Sequence, residues 1–171
     1  MSPRHLLKAR RAHCIEGALF AAAALACHGH TPLLMDFQTL PEDEDHVLAI
    51  FKQNGLWGAI SKTNHSTIRW RDPVYKTPRE LAMSYFHEYI IKNGRKTLRA
   101  FSKPFDLRKY KPETWVTADK DLWWLAEELD ASPHYKVVPA PSLRGLRKAD
   151  KIELETMKIL EWKNSGRKSY R

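Results

Sequence analysis

The feature that constrains this chain most is an apolar run near its start. Residues 14–27 read Cys-Ile-Glu-Gly-Ala-Leu-Phe-Ala-Ala-Ala-Ala-Leu-Ala-Cys, and Glu16 is the only charged residue among them. A segment that is apolar on nearly every side predicts a helix surrounded by the rest of a domain. Gly29 supplies a C-terminal stop for that helix. The run is shorter than the roughly 20 residues that cross a bilayer, so we expect a core helix in one soluble domain.

Basic residues precede this run, so the chain start also resembles a secretory signal. We favour the core helix, because Glu16 and Gly17 interrupt the front of the run. This choice predicts a cytoplasmic protein without membrane association. A disulfide between Cys14 and Cys27 is disfavoured, since residues this far apart on one helix are separated by nearly 20 Å. Cys27, late in the helix, is predicted to be a core residue.

The positive charge is uneven along the chain. The 29 Lys and Arg residues exceed the 20 Asp and Glu residues, which gives a formal net charge of +9. The excess lies at the start, in residues 95–111 and in residues 144–171, where acids are interspersed as on a solvated helix face. Nucleic acid is therefore a weaker candidate partner. The sequence contains no Gly-rich phosphate loop and no CxxC or HExxH spacing, so we expect no cofactor and no metal site.

Strand and turn signals follow the apolar run. Asn54-Gly55 predicts a hairpin, because both central residues of a type I′ turn need positive φ. We predict strands at residues 33–37, 46–51, 56–62, 66–71 (ending at Asp72-Pro73) and 97–101.

Helix signals dominate the second half. Thr77-Pro78-Arg79-Glu80 combines an N-cap, a proline at the first helical position and a capping box, which predicts a helix ending at Gly94. Further helices are expected at residues 118–129 and 146–163. The aromatic residues Trp57, Trp123 and Trp124 are predicted to fill the core. Pro133, Pro139 and Pro141 indicate a linker, so we divide the chain into a domain at 1–135 and a Pro-containing linker with a basic C-terminal helix at 136–171.

Two residues suggest thiol chemistry. Cys14 opens the predicted core helix, where unpaired backbone N–H groups and the helix dipole favour a thiolate and can hold an oxyanion. His46 opens a predicted strand after the acidic residues 42–45 and is the candidate base. A Cys on a helix followed by a His on a strand is the order found in papain-type thiol enzymes. His65, His87 and His134 are expected to be structural or exposed.

Residues 10–75 resemble the bacterial transglutaminase-like proteins of the papain-like superfamily. The resemblance rests on His13-Cys14-Ile15-Glu16-Gly17, on Asp45-His46-Val47-Leu48, on Trp57-Gly58-Ala59-Ile60-Ser61-Lys62 and on Arg69-Trp70-Arg71-Asp72-Pro73. It implies an α+β fold in which a nucleophile helix packs on an antiparallel sheet, with further C-terminal helices. It also implies Cys14 as nucleophile and His46 as base, acting on a peptide or protein amide substrate.

The third residue of such a site is open, because no carboxylate lies between His46 and Asp72. The candidates are Ser61, Asn64 and Asp72. A two-residue hairpin loop puts Ser61 on the face of His46, whereas a three-residue loop puts Asn64 there. We choose Asn64, because an amide oxygen can accept the imidazole N–H and fix its tautomer.

The sequence thus predicts thiol-dependent acyl transfer, either amide hydrolysis or transamidation, by Cys14, His46 and Asn64. Two alternatives stay open. The first is an inactive interaction module with the same fold, and the second is a basic nucleic-acid-binding protein.

Overall fold

The computed structural model describes residues 1–161 of the chain. In this range the protein is an α+β fold with a seven-stranded antiparallel sheet. The strands are β1 (Leu33–Gln38), β2 (His46–Gln53), β3 (Leu56–Ile60), β4 (Trp70–Tyr75), β5 (Ala100–Ser102), β6 (Phe105–Asp106) and β7 (His134–Lys136). They are arranged in the order β4-β3-β2-β1-β5-β7, and β6 also pairs with β1.

The helices of the same range differ greatly in length. They are α1 (Pro3–Ala9), α2 (Cys14–Cys27), α3 (Pro78–Met83), α4 (Trp123–Asp130), α5 (Ala140–Leu143) and α6 (Lys151–Thr156). Two short 3-10 helices, Leu107–Lys109 and Pro112–Thr114, connect β6 to α4. The 14-residue α2 is the longest of them and has the bounds that the apolar run predicts.

The sheet separates two hydrophobic clusters. On one side α2 and α4 pack against side chains that include Leu34, Val47 and Ala49; we call this the α2 face. On the other side α3 and the segment after it pack against side chains that include Phe37 and Leu48; we call this the α3 face. Because successive side chains of a strand point to opposite faces, β1 and β2 each contribute to both clusters.

The predicted burial of α2 is only partly confirmed. Ala18, Leu19 and Ala22 are fully buried against the sheet and α4, but Ala24 and Ala26 are exposed. Cys27 is exposed too, so its prediction as a core residue is wrong. The helix is apolar all round because its outer side carries alanines, whose small side chains can face solvent at little cost.

The hairpin prediction is confirmed. Gln53 pairs with Leu56, so the loop has two residues, and Asn54 and Gly55 both have positive φ, 51° and 82°. The next strand is misplaced in the prediction: β4 begins at Trp70 and continues through Pro73 to Tyr75. Pro73 is accommodated because β4 is an edge strand, where a residue without an N–H can face outward.

The helix that starts at Thr77 is shorter than predicted. Thr77 caps it as expected, with its Oγ1 accepting from the N–H of Glu80 at 3.1 Å. After Met83 the backbone bonds tighten to the i→i−3 type, and Tyr89 then accepts from the N–H of Thr97 instead of continuing a helix. The periodic side chains are nevertheless buried as a group: Leu81, Ala82, Tyr85, Phe86, Tyr89 and Ile90.

The C-terminal predictions are corrected in their bounds. α4 begins at Trp123, whose side chain is 73% exposed, so the prediction that it fills the core is wrong. The predicted strand at 97–101 is β5, which is only three residues long. Within the predicted helix 146–163 the structure has α6, and Trp162 and Lys163 lie outside the described residues. β7 spans the predicted boundary between residues 135 and 136.

Candidate active site

Cys14 is the first residue of α2, as predicted. Two contacts of Glu16 hold the helix start in place. The N–H of His13, the N-cap residue, donates to Glu16 Oε2 at 2.7 Å, and the terminal ammonium of Met1 donates to Glu16 Oε1 at 2.8 Å. These contacts satisfy groups that a helix start leaves open. They also fix where the Cys14 side chain leaves the helix.

The Cys14 thiol is half-buried at the start of β2. Burial raises the pKa of Cys14, and the Asp36 carboxylate raises it further. The backbone N–H groups of Val47 and Ile15 hydrogen-bond the sulfur and oppose that shift by favouring the thiolate. At neutral pH the raised pKa leaves a thiol, so attack on a carbonyl needs a base that removes its proton.

His46 lies next to Val47 and is fully buried. Its Nε2 is 2.6 Å from Ser61 Oγ. The contact follows from the two-residue hairpin loop, which puts Ser61 on the same face of the sheet as His46. Ser61 is therefore the residue that holds the imidazole in this structure.

The side chains of Cys14 and His46 lie on different faces of the sheet at the start of β2. His46 pairs with Phe37 and belongs to the α3 face, whereas Val47 pairs with Asp36 and belongs to the α2 face. Cys14 meets the Val47 N–H from the helix that covers the α2 face. The thiol and the imidazole therefore lie on different faces of the sheet at the start of β2.

The other two candidates for the third residue lie after β3 and in β4. Asn64 is half-buried, and its backbone carbonyl accepts from the N–H of Glu161 at 3.0 Å. Asp72 is exposed, and its Oδ1 accepts from Trp70 Nε1 at 2.8 Å.

A buried acid and a half-buried histidine meet on the α2 face, and neither was predicted as a site residue. Asp36 is 2% exposed, and its Oδ2 is 3.1 Å from His134 Nε2. Burial raises the pKa of Asp36 to about 6, against the opposing effect of His134. His134 Nδ1 donates to the carbonyl of Ser132 at 2.7 Å, because a carbonyl oxygen can only accept. A carboxylate within the apolar residues 33–37 was the available sequence signal for this pair.

Gly17 brings a lysine close to α2, one turn after Cys14. A Cβ at Gly17 would lie 2.3 Å from Lys62 Cβ, so the close approach requires glycine. Burial lowers the pKa of Lys62, while the charges of Glu161 and Cys14 act in the opposite direction. The ammonium thus lies within electrostatic range of the thiol.

Comparisons with protein-family models and with curated proteins find no match for this chain. Among residues 1–161, no group of three or more His, Cys, Asp or Glu side chains is arranged to hold a metal ion. None of the helices described in that range combines the length and hydropathy that a bilayer crossing requires.

Proposed function

We propose that this chain catalyses thiol-dependent acyl transfer, as an amide hydrolase or transamidase, with Cys14 as nucleophile and His46 as base. One observation carries the proposal: the Cys14 sulfur is hydrogen-bonded by the N–H of Val47, the residue directly after His46. The fold thus brings the first residue of α2 to the first residues of β2, although they are 32 positions apart in the sequence. The reducing cytoplasm suits a free thiol nucleophile.

The reaction divides into two steps. His46 takes the thiol proton, the sulfur forms a bond to the carbonyl carbon, and the amine leaves with that proton as the C–N bond breaks. Water or a second amine then attacks the thioester and releases Cys14. With Nε2 held by Ser61, proton exchange with sulfur would run through Nδ1. The N–H groups at the start of α2 would hold the oxyanion. We retain Asn64 as an alternative third residue.

The test uses Cys27 as an internal reference, because it is an exposed free thiol in the same chain. The protein is treated with limiting p-nitrophenyl acetate, and acetylation of each cysteine is measured by peptide mass spectrometry between pH 6 and 9. We expect Cys14 to acetylate at least ten times faster than Cys27 at pH 7. His46→Ala should remove that advantage, and Cys14→Ala should remove the product.

His30→Ala is the matched control, since this half-buried histidine contacts Phe51 and not the proposed site. It should leave the acetylation ratio unchanged. If Cys14 reacts no faster than Cys27, and His46→Ala has no effect, then the dyad is wrong.

A second candidate function is a protein-interaction module without catalysis. The observation that favours it is the position of His46 on the α3 face, opposite the helix that carries Cys14. If the chain is such a module, Cys14 should show the reactivity of an ordinary half-buried thiol at every pH.

Nucleic-acid binding stays a prediction that rests on the charge distribution alone. In the basic residues 95–111, Arg95, Arg108 and Lys109 pair with Glu42, Asp106 and Glu128.

A further inference from the structure

An apolar groove of about 540 Å³ runs between α1, α2 and the end of β3; we call it the α1–α2 groove. Its volume is within the range of ligand-binding clefts. The apolar residues that line it include Leu6, Phe20, Ala21, Ala24, Leu25 and Ile60. Several of these side chains are half-buried or exposed, so the groove presents apolar surface to solvent.

The polar lining of the groove is basic. Arg10, Arg11 and Lys62 contribute cations, and His28 lies at the far end. Among the described residues that line the groove, none is acidic. Three cations beside an apolar floor complement a ligand that combines carboxylates with apolar side chains.

The groove adjoins the Cys14 part of the candidate active site. Gly17 lines it one turn after Cys14, and Ser61 and Lys62 line it directly after β3. From Gly17 to His28 the helix rises about 16 Å, which is the length of about five extended residues. A peptide of that length lying along α2 would therefore end next to Cys14.

We propose that the α1–α2 groove binds the substrate of Cys14 as an acidic peptide segment with apolar side chains; this rests on the proposed acyl transfer. The floor favours a peptide over single-stranded nucleic acid, because it is mainly aliphatic and, among the described lining residues, only Phe20 and the imidazole of His28 offer rings for base stacking. The cationic rim would then select carboxylates within the peptide.

Binding is tested apart from chemistry, with the Cys14→Ser variant of the full chain. The probe is a fluorescein-labelled heptapeptide of alternating Glu and Leu, and the readout is fluorescence anisotropy. We expect saturable binding that weakens as salt rises. A peptide with Gln in place of Glu should bind at least tenfold more weakly, and a peptide with Ser in place of Leu should do the same.

Two pairs of variants locate the site. Ala24→Trp fills the groove and should weaken binding at least tenfold, whereas Ala26→Trp, at an exposed position of α2 outside the groove, should not. Arg11→Glu should weaken binding about fivefold. Lys8→Glu makes the same charge change on exposed α1 surface outside the groove and should have a much smaller effect.

Three results would overturn the proposal: no binding of the Glu-Leu peptide, equal weakening by Ala24→Trp and Ala26→Trp, or tighter binding of a labelled oligo-uridine that Arg11→Glu abolishes. Each is distinct from failure of the proposed function, which is measured by Cys14 acetylation. Peptide binding without acetylation identifies a docking groove on an inactive domain and overturns the assignment of the peptide as a substrate.

Discussion

The two faces of the sheet are built differently, and the candidate site is divided between them. The α2 face is covered by one long helix, and it holds Cys14 together with the pair formed by buried Asp36 and half-buried His134. The α3 face is covered by a six-residue helix and the turns that follow it, and it holds His46 and Ser61. The Cys14 thiol contacts Val47, and the imidazole belongs to the adjacent residue His46, so the alternation of side chains along β2 puts the two groups on opposite faces of the sheet.

The comparison shows that each face carries its own histidine and its own polar partner. On the α3 face the partner of His46 is a neutral hydroxyl, whereas on the α2 face the partner of His134 is a carboxylate. Of these groups, the Asp36 carboxylate acts on Cys14 by its charge and raises the pKa of the thiol. The pKa of the thiol is thus influenced from the α2 face, while its proposed base comes from the α3 face.

The largest expected effect comes from truncating one core residue on each face. Leu34 and Met35 are adjacent in β1 and both fully buried, but they belong to the α2 face and the α3 face respectively. Each change to Ala should lower the free energy of unfolding by about 3 kcal/mol, measured by urea denaturation. Only Leu34→Ala should speed the alkylation of Cys14 under native conditions. Equal acceleration in both variants would mean that the faces do not behave as separate units.

The next effect concerns the buried carboxylate of the α2 face. Asp36 has a folded-state pKa of about 6, above its ordinary 3.8, so the unfolded chain loses this proton first as pH rises. The stability of the wild type relative to Asp36→Asn should therefore fall between pH 4 and pH 6, by about 3 kcal/mol in total, and level off above. Denaturation at a series of pH values measures this slope, with exposed Asp72→Asn as the control. A flat difference would show that Asp36 is not desolvated.

The same substitution sharpens the link between Asp36 and the thiol. Asp36 raises the pKa of Cys14, so Asp36→Asn should lower that pKa and move the pH profile of Cys14 alkylation to lower pH. The profile of exposed Cys27, recorded in the same samples, should not move. A Cys14 profile that stays in place would contradict the electrostatic coupling.

A smaller effect separates the two buried serines. Ser61 Oγ contacts His46, and Ser102 Oγ accepts from the N–H of Asp36 at 2.9 Å. Changing either to Ala should cost about 1 to 2 kcal/mol of stability, because a buried polar partner is lost. Ser61→Ala should shift the imidazole resonances of His46 in a pH titration by NMR, and Ser102→Ala should leave them in place. The reverse pattern would break the assignment of the serines to different faces.

The smallest expected effect concerns the Asn54-Gly55 turn, which sets the register between β2 and β3. Gly55 has φ of 82°, so Gly55→Ala should lower stability by about 1 kcal/mol. Gly145 is the matched control, since its φ lies outside the left-handed region and a Cβ there meets no atom within 4 Å. Thermal unfolding compares the two variants. An equal loss at both positions would point to a general effect of alanine and not to the turn.

Local signals predicted much of the fold. The apolar run predicted α2 with its bounds, Asn54-Gly55 predicted the hairpin, and Thr77-Pro78 predicted the start of α3. Each of these depends on a few adjacent residues whose backbone preferences agree. The ends of elements were predicted less well. The chain after Met83 leaves the helix to bond with Thr97, and β4 runs through Pro73 at the edge of the sheet.

In the candidate site, too, the features that depend on local sequence were predicted and those that depend on distant residues were not. Cys14 and His46 were recognisable from their positions at the start of a helix and a strand, and hairpin parity identified Ser61 as a candidate. The partnership of Asp36 with His134 was not recognisable, because the two residues lie 98 positions apart and meet across β5. The exposure of Cys27 was also missed, since periodicity does not tell how far a helix extends beyond the sheet it covers.

By itself, then, the sequence determined the α+β class, the central helix with Cys14 at its start and the position of the β2–β3 turn, because these follow from local backbone preferences and hydrophobic patterning. Only the tertiary structure decided which residues share a face. The pairing of Phe37 with His46 directs that imidazole away from α2, and the pairing of Asp36 with Val47 places a buried carboxylate near the thiol. Such pairings join segments far apart in the chain, and no local preference encodes them.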